Sequence, residues 1–531
     1  MGASPFRNVD ARAAATAEAP RRVALPTLHT AASACVLALV LALTACTAGS
    51  RTGSNTSGPG PGRGSALDVG FIAEPASLDF TKNDGAAIPQ ALLVNVYEGL
   101  VKLDGDGEIV PLLAKAWEVS PDRRTYTFTL REGVRFSNGD DFTAEDAVFS
   151  INRVRTDWTV SLKSGMDVVE RADAVSPTTL RVALKRPSNS WLFAMTTRIG
   201  AMFSTDGVSD LATIPVGTGP YVMSRWTRGD ALVLEARKGY WGRQPDLDAV
   251  TLRYFKDPTA MNNAMRTGGI DVVSTVQTPE SLAEFADTSK YRVIEGTSNG
   301  EVVLSFNHGK APLTDRRVRR ALCLAIDRQA ILDTAWAGHG TLIGSMVPPT
   351  DPWYEDLSRT YPHDPARAKR LLADAGVGSL RLRLRIPNLP YAVAAAQVVK
   401  SQLADVGVTA SIDVLEFPAR WLDDVFTKAD YDMSIIAHVE PRDLASWGNP
   451  DYYWRYDNPR VRALLAEADA GTPAEQVALL RRAARILADD AAADWLFLLP
   501  NLMVTTPEVK GLPTNVVSES FDLTSVSVRP T

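Results

Sequence analysis

The sequence is poor in the residues that bind transition metals most strongly, since its 531 residues include five histidines and three cysteines. This scarcity argues against a zinc or iron–sulfur protein. Basic residues show no excess either: 56 lysines and arginines face 62 aspartates and glutamates, so the electrostatic signature of nucleic-acid binding is missing. No apolar run reaches about 18 residues, which excludes a multi-span membrane protein. We predict a globular protein with no resident metal or cofactor and no nucleic-acid partner.

The N-terminal segment has the pattern of an export signal. Arg21 and Arg22 precede an apolar stretch at residues 31–45. A stretch of about 15 residues suits the apolar region of a secretory signal peptide and is short for a bilayer span. We therefore predict a signal peptide at residues 1–45, which is removed on export.

The end of this apolar stretch, Leu43-Thr44-Ala45-Cys46, resembles the bacterial lipobox. The resemblance implies cleavage before Cys46 and attachment of lipid to its thiol. Residues 47–65 are rich in Gly, Ser, Thr and Pro and cannot bury an apolar surface, which is typical of a flexible spacer. We expect a lipid-anchored tether at residues 46–65 that holds the protein at the outer face of the cytoplasmic membrane. The alternative is an ordinary signal peptide followed by an incidental cysteine.

Strand-like and helix-like patterns alternate through the rest of the chain. Thr125 to Leu130 alternates apolar and polar residues as a half-buried strand does. Thr143 with Asp146 forms a capping-box pattern, and Asp364-Pro365 is a typical helix start. Apolar spacing predicts further helices at residues 88–103 and within 313–336. Strand–helix–strand units in two long blocks predict a multi-domain α/β protein.

One motif invites a catalytic interpretation. Gly296-Thr-Ser298-Asn-Gly300 matches the G-x-S-x-G pattern of serine hydrolases, in which the serine lies between a strand and a helix. Residues 301–306 have the pattern of a strand instead, so the segment is predicted to connect two strands. The histidines at 308, 339 and 363 are scattered along the sequence. A secreted hydrolase centred on Ser298 is therefore kept only as the alternative of another class, and we predict that the protein is not an enzyme.

Five blocks of the sequence, in order, resemble the family-5 extracellular solute-binding proteins, the dipeptide, oligopeptide and nickel receptors of ABC importers. The blocks are Leu112 to Val154, Gly217 to Tyr221, Phe306-Asn307 with Pro312 to Arg328, Val347-Pro-Pro with Pro352-Trp353-Tyr354, and Asp364 to Val377 followed by Gln402 to Val408. The resemblance extends over nearly all of residues 67–510. A single block would be weak evidence, but five in register are strong evidence.

The resemblance implies an α/β fold of two lobes that close on a ligand about a hinge, with an extra domain on the first lobe. The implied divisions are 66–92, 217–300 and 497–531 for lobe I, 93–216 for the extra domain, and 301–496 for lobe II. It also implies a monomeric receptor that delivers a short peptide to ABC permease subunits and their ATPases. A non-peptide solute, such as a nickel chelate, an oligosaccharide, an opine or haem, is the alternative within the same fold.

A buried peptide ammonium needs a carboxylate partner, because an unpaired buried charge is very costly. In peptide-binding relatives this carboxylate follows the strand that corresponds to residues 431–437. By register Glu440 is the first candidate and Asp443 the second, whereas the family often has a tryptophan where His438 stands. The alternative is that Glu440, Arg442 and Asp443 form a surface loop of ion pairs. The other predicted ligand-binding residues in this loop are His438, Arg442 and Trp447. On the opposite lobe Phe80, Thr81 and Asn83 are expected to face the cleft, and Arg385 and Asn388, which follow another strand, are expected to meet a ligand carboxylate.

His438 raises the question of a metal ligand, because nickel receptors of the family use a histidine in this region. A single histidine without partner ligands is a poor metal site. We therefore predict that His438 binds no metal and takes a hydrogen-bonding or packing role.

Overall fold

The computed structural model describes residues 65–529, with the exception of Asp84. The predicted signal peptide, Cys46 and the tether up to residue 64 lie outside the described residues. Within residues 65–529 no helix combines the length and the apolar character that crossing a membrane requires.

The first half of the described chain is dominated by strands. Its strands are β1 (Ala66–Phe71), β2 (Val101–Leu103), β3 (Ile109–Pro111), β4 (Ala114–Val119), β5 (Thr125–Leu130), β6 (Val169–Ser176), β7 (Thr179–Leu184), β8 (Tyr221–Thr227), β9 (Ala231–Ala236), β10 (Ala249–Tyr254) and β11 (Val272–Val273). Its helices are α1 (Ala87–Leu92), α2 (Ala144–Asp157), α3 (Asn189–Ala194) and α4 (Pro258–Arg266). The predicted capping box is present at the start of α2, where Thr143 and Asp146 bond each other's backbone.

The second half has longer helices. Its strands are β12 (Arg292–Phe306), β13 (Leu380–Pro387), β14 (Val408–Leu415), β15 (Met433–His438), β16 (Ala493–Thr505), β17 (Val509–Lys510) and β18 (Ser527–Val528). Its helices are α5 (Arg316–Ala325), α6 (Arg328–Trp336), α7 (Pro365–Asp374), α8 (Pro390–Asp405), α9 (Ala419–Trp421), α10 (Pro459–Ala470) and α11 (Pro473–Asp489). Helix α7 begins at the predicted cap, because the Asp364 side chain accepts from the Arg367 amide.

One ten-stranded sheet runs through both halves in the order β14-β13-β15-β12-β16-β11-β1-β10-β9-β8. The strands β12 and β16 lie in its middle and pair antiparallel along most of their length, with a register shift between Thr297 and Glu301. A separate four-stranded antiparallel sheet, β4-β5-β7-β6, lies within residues 93–216.

The apolar cores divide the molecule into two lobes. One large core draws on residues 67–272 and 503–526, and two others draw on residues 302–498. The fold is therefore the expected two-lobed α/β architecture. The detailed domain boundaries within it stay a prediction.

Two predicted helices differ from the structure. The pattern at 88–103 predicts one helix, but α1 ends at Leu92 and Val94 has a left-handed φ of 68°. The residues beyond it are apolar because they lie in the core, not because they share a helix face. The pattern at 313–336 spans α5 and α6, which are separated by an extended Ile326. Asp327 then caps α6 by accepting from the amides of Gln329 and Ala330.

The G-x-S-x-G segment lies inside the continuous strand β12, so the expected connection between two strands is wrong. The Ser298 hydroxyl donates to the Leu499 carbonyl of β16, and within residues 65–529 no histidine bonds it. Gly296 is required by packing, because a β-carbon there would collide with the Thr514 carbonyl. The segment therefore lacks the strand–serine–helix geometry of a hydrolase nucleophile.

Candidate functional site

The candidate site lies where β12 and β15 run antiparallel, with Glu301 directly opposite His438. The strand β15 confirms the strand predicted at 431–437, and the chain turns sharply just beyond it. Arg442 takes a left-handed conformation with φ of 58°, and one 3-10 turn, Asp443–Gly448, follows. This turn brings the loop that carries the predicted acids back over the end of the sheet.

Three buried carboxylates form the centre of the site. Glu301 is 1% exposed, and the side chains of Asp351 and Asp443 are 9% and 11% exposed. Glu301 Oε2, Asp351 Oδ2 and both carboxylate oxygens of Asp443 accept no hydrogen bond within the described chain. Buried polar atoms are nearly always hydrogen-bonded in folded proteins, so this concentration of unpartnered acceptors is typical of a ligand site.

Burial raises the pKa values of all three acids, and neighbouring negative charges add to the shift at Glu301 and Asp443. Burial raises the pKa of Glu301 well above its usual range, and the nearby charges of Asp443 and Asp351 raise it further. Burial likewise raises the pKa of Asp443, together with the charge of Glu440. Burial raises the pKa of Asp351 to about 7, although the Arg442 guanidinium opposes the shift. Perturbed acids gathered in one place indicate a functional site.

His438 supports the loop from the end of β15. Its Nε2 lies 3.0 Å from the Tyr453 hydroxyl, and its Nδ1 lies 3.8 Å from an Asp443 carboxylate oxygen. Burial lowers the pKa of His438 to about 4, so the ring is neutral near pH 7. The predicted hydrogen-bonding role agrees with this geometry.

His438 has neighbouring side chains that could act as metal ligands with it, so the expectation that it has no such partners is wrong. Side-chain donor atoms of His438, Glu440 and Asp443 lie within 4.8 Å of one another, because the turn after β15 folds the two acids back toward the ring. One imidazole with two carboxylates is a donor set that divalent transition metals accept. Spacing along the sequence did not reveal this convergence.

Arg442 connects the loop to distant parts of the chain. Its Nη2 donates to the Gly107 carbonyl at 2.9 Å, and its guanidinium lies 4.2 Å from the centre of the Phe193 ring. Its Nε lies 3.7 Å from Asp351. Both Gly107 and Phe193 belong to the predicted extra domain, so Arg442 reaches across to the opposite side of the site.

A cavity of only about 10 Å³ lies beside Asp351 and Arg442. Its other lining residues are Leu103, Gly107, Phe193, Asn299, Thr350, Pro441 and Val517. A volume of this size holds about one water molecule. The structure therefore represents a closed conformation at this point, and a larger ligand enters only when the surrounding segments separate.

The predicted residues of the 438–447 loop do not all face the acids. Glu440 is exposed, and its carboxylate accepts from the Val439 amide. Trp447 is 1% exposed and stacks on Trp454 with ring centres 3.9 Å apart. It is therefore a core residue that holds the turn in place, and the expectation that it lines the ligand site is corrected.

The predicted residues of the opposite lobe lie in its interior or in local turns. Phe80 is 1% exposed and packs against Tyr97 and Trp158, so it does not face a cleft as expected. The Thr81 hydroxyl donates to Asp79, and the Asn83 side chain accepts from the Gly85 amide. The structure does not bring these three residues to the acidic centre.

Arg385 and Asn388 also lie apart from the acids. Arg385 is 9% exposed and its guanidinium pairs with Asp413, Asp424 and Asp430. These three carboxylates neutralise it, so it is not free to meet a ligand carboxylate as expected. The exposed Asn388 accepts from the Phe417 amide. Glu301 and Asp351, by contrast, are site residues that the sequence argument missed.

A two-lobed α/β fold with buried, unpartnered acids beside a closed contact between distant segments defines a solute-binding protein rather than an enzyme. The family model of the bacterial extracellular solute-binding proteins, family 5, matches residues 108–458, more than half of the chain. The chain belongs to this family, which places its folded part outside the cytoplasm.

Individual relatives agree with this assignment. The glutathione-binding protein GsiB of Salmonella typhimurium is 30% identical over 341 residues, which cover 63% of this chain and 66% of the relative, slightly less than two thirds of its length. The substrate-binding protein CtaP of Listeria monocytogenes superimposes with a TM-score of 0.78 at 23% identity, over 88% of this chain and 100% of CtaP. DppA of Helicobacter pylori, in complex with the peptide STSA, superimposes with a TM-score of 0.72 at 23% identity. The match covers 88% of this chain and 98% of DppA. At such identities the two structures show the fold alone.

Proposed function

We propose that the protein is a lipid-anchored receptor that captures short peptides between its lobes and delivers them to an ABC permease with its ATPases. The observation that carries the proposal is the group of buried carboxylates at Glu301, Asp351 and Asp443, whose oxygens lack protein donors. The glutathione-binding relative and the peptide complex of DppA support a peptide-like ligand.

The chemistry of a peptide fits these acids. Its ammonium supplies three N–H donors and a positive charge to oxygens that have neither. Such charge-assisted hydrogen bonds are roughly twice as strong as neutral ones. Because Asp443 is far more buried than Glu440, we assign the ammonium to Asp443, with Glu301 beside it. Among the two candidates from the sequence, the second is therefore preferred.

Calorimetry with defined tripeptides tests this proposal. We expect Asp443→Asn to weaken binding of Ala-Ala-Ala by about 2–5 kcal/mol, because the substitution removes one partner of a desolvated charge pair. N-terminal acetylation of the peptide should produce a loss of similar size in the unchanged protein. Glu355→Gln is the control, since Glu355 pairs with Arg485 away from these acids. Equal affinity for free and acetylated peptides would contradict the assignment.

A nickel–histidine complex is the second candidate solute, because His438, Glu440 and Asp443 offer three donor atoms close together. Titration with nickel and free histidine distinguishes the two candidates. Binding of the nickel complex together with failure of every peptide would favour the metal chelate as substrate.

A further inference from the structure

The acids of the site outnumber the cations that face them. Asp351, Glu440 and Asp443 lie close enough to Glu301 for their charges to raise its pKa further, and Arg442 is the only arginine or lysine paired with any of these four acids in the described chain. Among these acids Arg442 pairs with Asp351 alone, and it donates another N–H to the Gly107 carbonyl. Glu301 and Asp443 therefore have no lysine or arginine paired with them in the described chain.

The other titratable neighbours do not supply the missing charge. His438 is buried and neutral, and burial keeps the pKa values of Tyr452 and Tyr453 high, so both phenols stay protonated. The Tyr453 hydroxyl is already engaged with Ser305 and His438. His438 lies directly opposite Glu301 in the strand pairing but is neutral, and within the described chain no lysine or arginine pairs with Glu301.

Glu301 points to a ligand independently of the acidic cluster. Glu301 is only 1% exposed, and its Oε2 accepts no hydrogen bond within the described chain. Its nearest electrostatic neighbours are the other three acids, so it is aimed into the cluster and not toward a structural partner. An ionised carboxylate in this state costs free energy, which the empty site avoids by keeping the proton and which a cationic ligand recovers on binding.

We infer that the site selects a ligand with two positive charges, and within the proposed function this is a peptide whose free N-terminus is accompanied by a lysine or arginine side chain. One cation meets Asp443 and the other meets Glu301. A single ammonium satisfies one buried acid and leaves the second unpaired. The identification of the ligand as a peptide rests on the proposed function. The requirement for two positive charges comes from the site residues alone.

Peptides that differ only in the second charge test the inference. Calorimetry would compare Lys-Ala-Ala, Ala-Lys-Ala and Ala-Ala-Lys with the same peptides carrying Nε-acetyl-lysine, which keeps the side-chain length and removes its charge. We expect at least one lysine peptide to bind about tenfold or more tightly than its acetylated form. Equal affinities at all three positions would overturn the inference.

Variants of the protein test whether Glu301 binds the second positive charge of the peptide. Glu301→Gln should abolish the preference for lysine over acetyl-lysine. Glu355→Gln should keep the full preference. Circular dichroism and thermal unfolding would verify that the variants fold. A preference that survives Glu301→Gln would overturn the role of Glu301.

A binding measurement with a diamine distinguishes two negative results: that the two-charge inference is wrong, and that the proposed peptide ligand is wrong. If no peptide binds but 1,5-diaminopentane does, the two-charge requirement stands and the peptide is the wrong solute. If neutral peptides bind as well as basic ones, the peptide receptor stands and the inference fails. If neither peptides nor the diamine bind, or if a divalent metal alone occupies the acids, the inference is overturned.

Discussion

Glu301 is suited to binding a cationic ligand, but the same buried carboxylate lowers the stability of the protein when no ligand is bound. An ionised carboxylate that is 1% exposed and has no basic partner destabilises the ligand-free protein. Its raised pKa means that the folded state keeps the proton at pH values where the unfolded chain, with an ordinary pKa of 4.5, has released it. Stability from this group is therefore greatest in acid and falls as the pH rises above about 4.5.

Replacing Glu301 with glutamine should consequently stabilise the ligand-free protein at high pH. We expect Glu301→Gln to raise the free energy of unfolding by roughly 1–3 kcal/mol at pH 8 and to leave it nearly unchanged at pH 4. Urea unfolding at both pH values, after ligand has been removed, measures the difference. Glu355→Gln should show the opposite sign and a smaller effect, since Arg485 lowers the pKa of Glu355. A destabilising Glu301→Gln at pH 8 would contradict this account.

The residues of the site show which part of it the sequence could predict. The position of a strand end predicted that His438 and Asp443 lie near each other at the candidate site, because both belong to one local segment of the chain. Glu301 and Asp351 come from other segments, and only the pairing of β12 with β15 and the folding of residue 351 toward Arg442 bring them close. A single sequence carries no signal for such long-range contacts.

At the scale of elements, a second contact joins the same distant regions as Arg442 does. Asp469, near the end of α10, accepts from the Ser190 amide at 2.9 Å and from the Ser188 hydroxyl at 3.0 Å. It also pairs with Arg186 at 2.6 Å. The Asn189 amide group donates to the carbonyls of Ala468 and Gly471. This Asp469 contact fastens α10 to the start of α3 in the closed conformation.

Loss of the Asp469 contact should weaken closure. We expect Asp469→Ala to accelerate ligand dissociation about tenfold, with little change in the association rate, because the hydrogen bonds form only after the lobes meet. Stopped-flow fluorescence with a bound peptide measures both rates. Glu467→Ala, an exposed position on the same helix, is the control. An unchanged dissociation rate in Asp469→Ala would show that closure depends on other contacts.

Element boundaries were predictable where the capping signal is local, as at Asp364 and Thr143. The predicted boundaries were wrong where residues are apolar because they are buried in the core and not because they share one face of a helix. The residues after Leu92 are apolar because they pass through the core, and the left-handed Val94 turns the chain there. Likewise both helices that flank the break at Ile326 bury an apolar face, so hydrophobic spacing alone does not reveal the break.

At the scale of the whole molecule, β12 and β16 connect the two lobes through the middle of the ten-stranded sheet. Glu301 immediately follows the register shift in their pairing. A change in the angle between the lobes at this irregularity therefore moves Glu301 relative to the residues that Arg442 contacts. We therefore expect ligand charge and lobe closure to be coupled, which would let a transporter distinguish loaded from empty receptors.

A receptor of this kind acts only if it stays near its permease, and Cys46 is the predicted attachment point. We expect Cys46→Ala to release the protein from the membrane fraction, because removal of the thiol removes the acceptor for the lipid. Cell fractionation with a carbonate wash, followed by immunoblotting, measures the distribution. Cys323→Ala is the matched control, since Cys323 is buried in the fold and should leave anchoring unchanged. Retention of the Cys46→Ala protein after the wash would refute lipid anchoring at this residue and would require another means of holding the receptor at the cell surface.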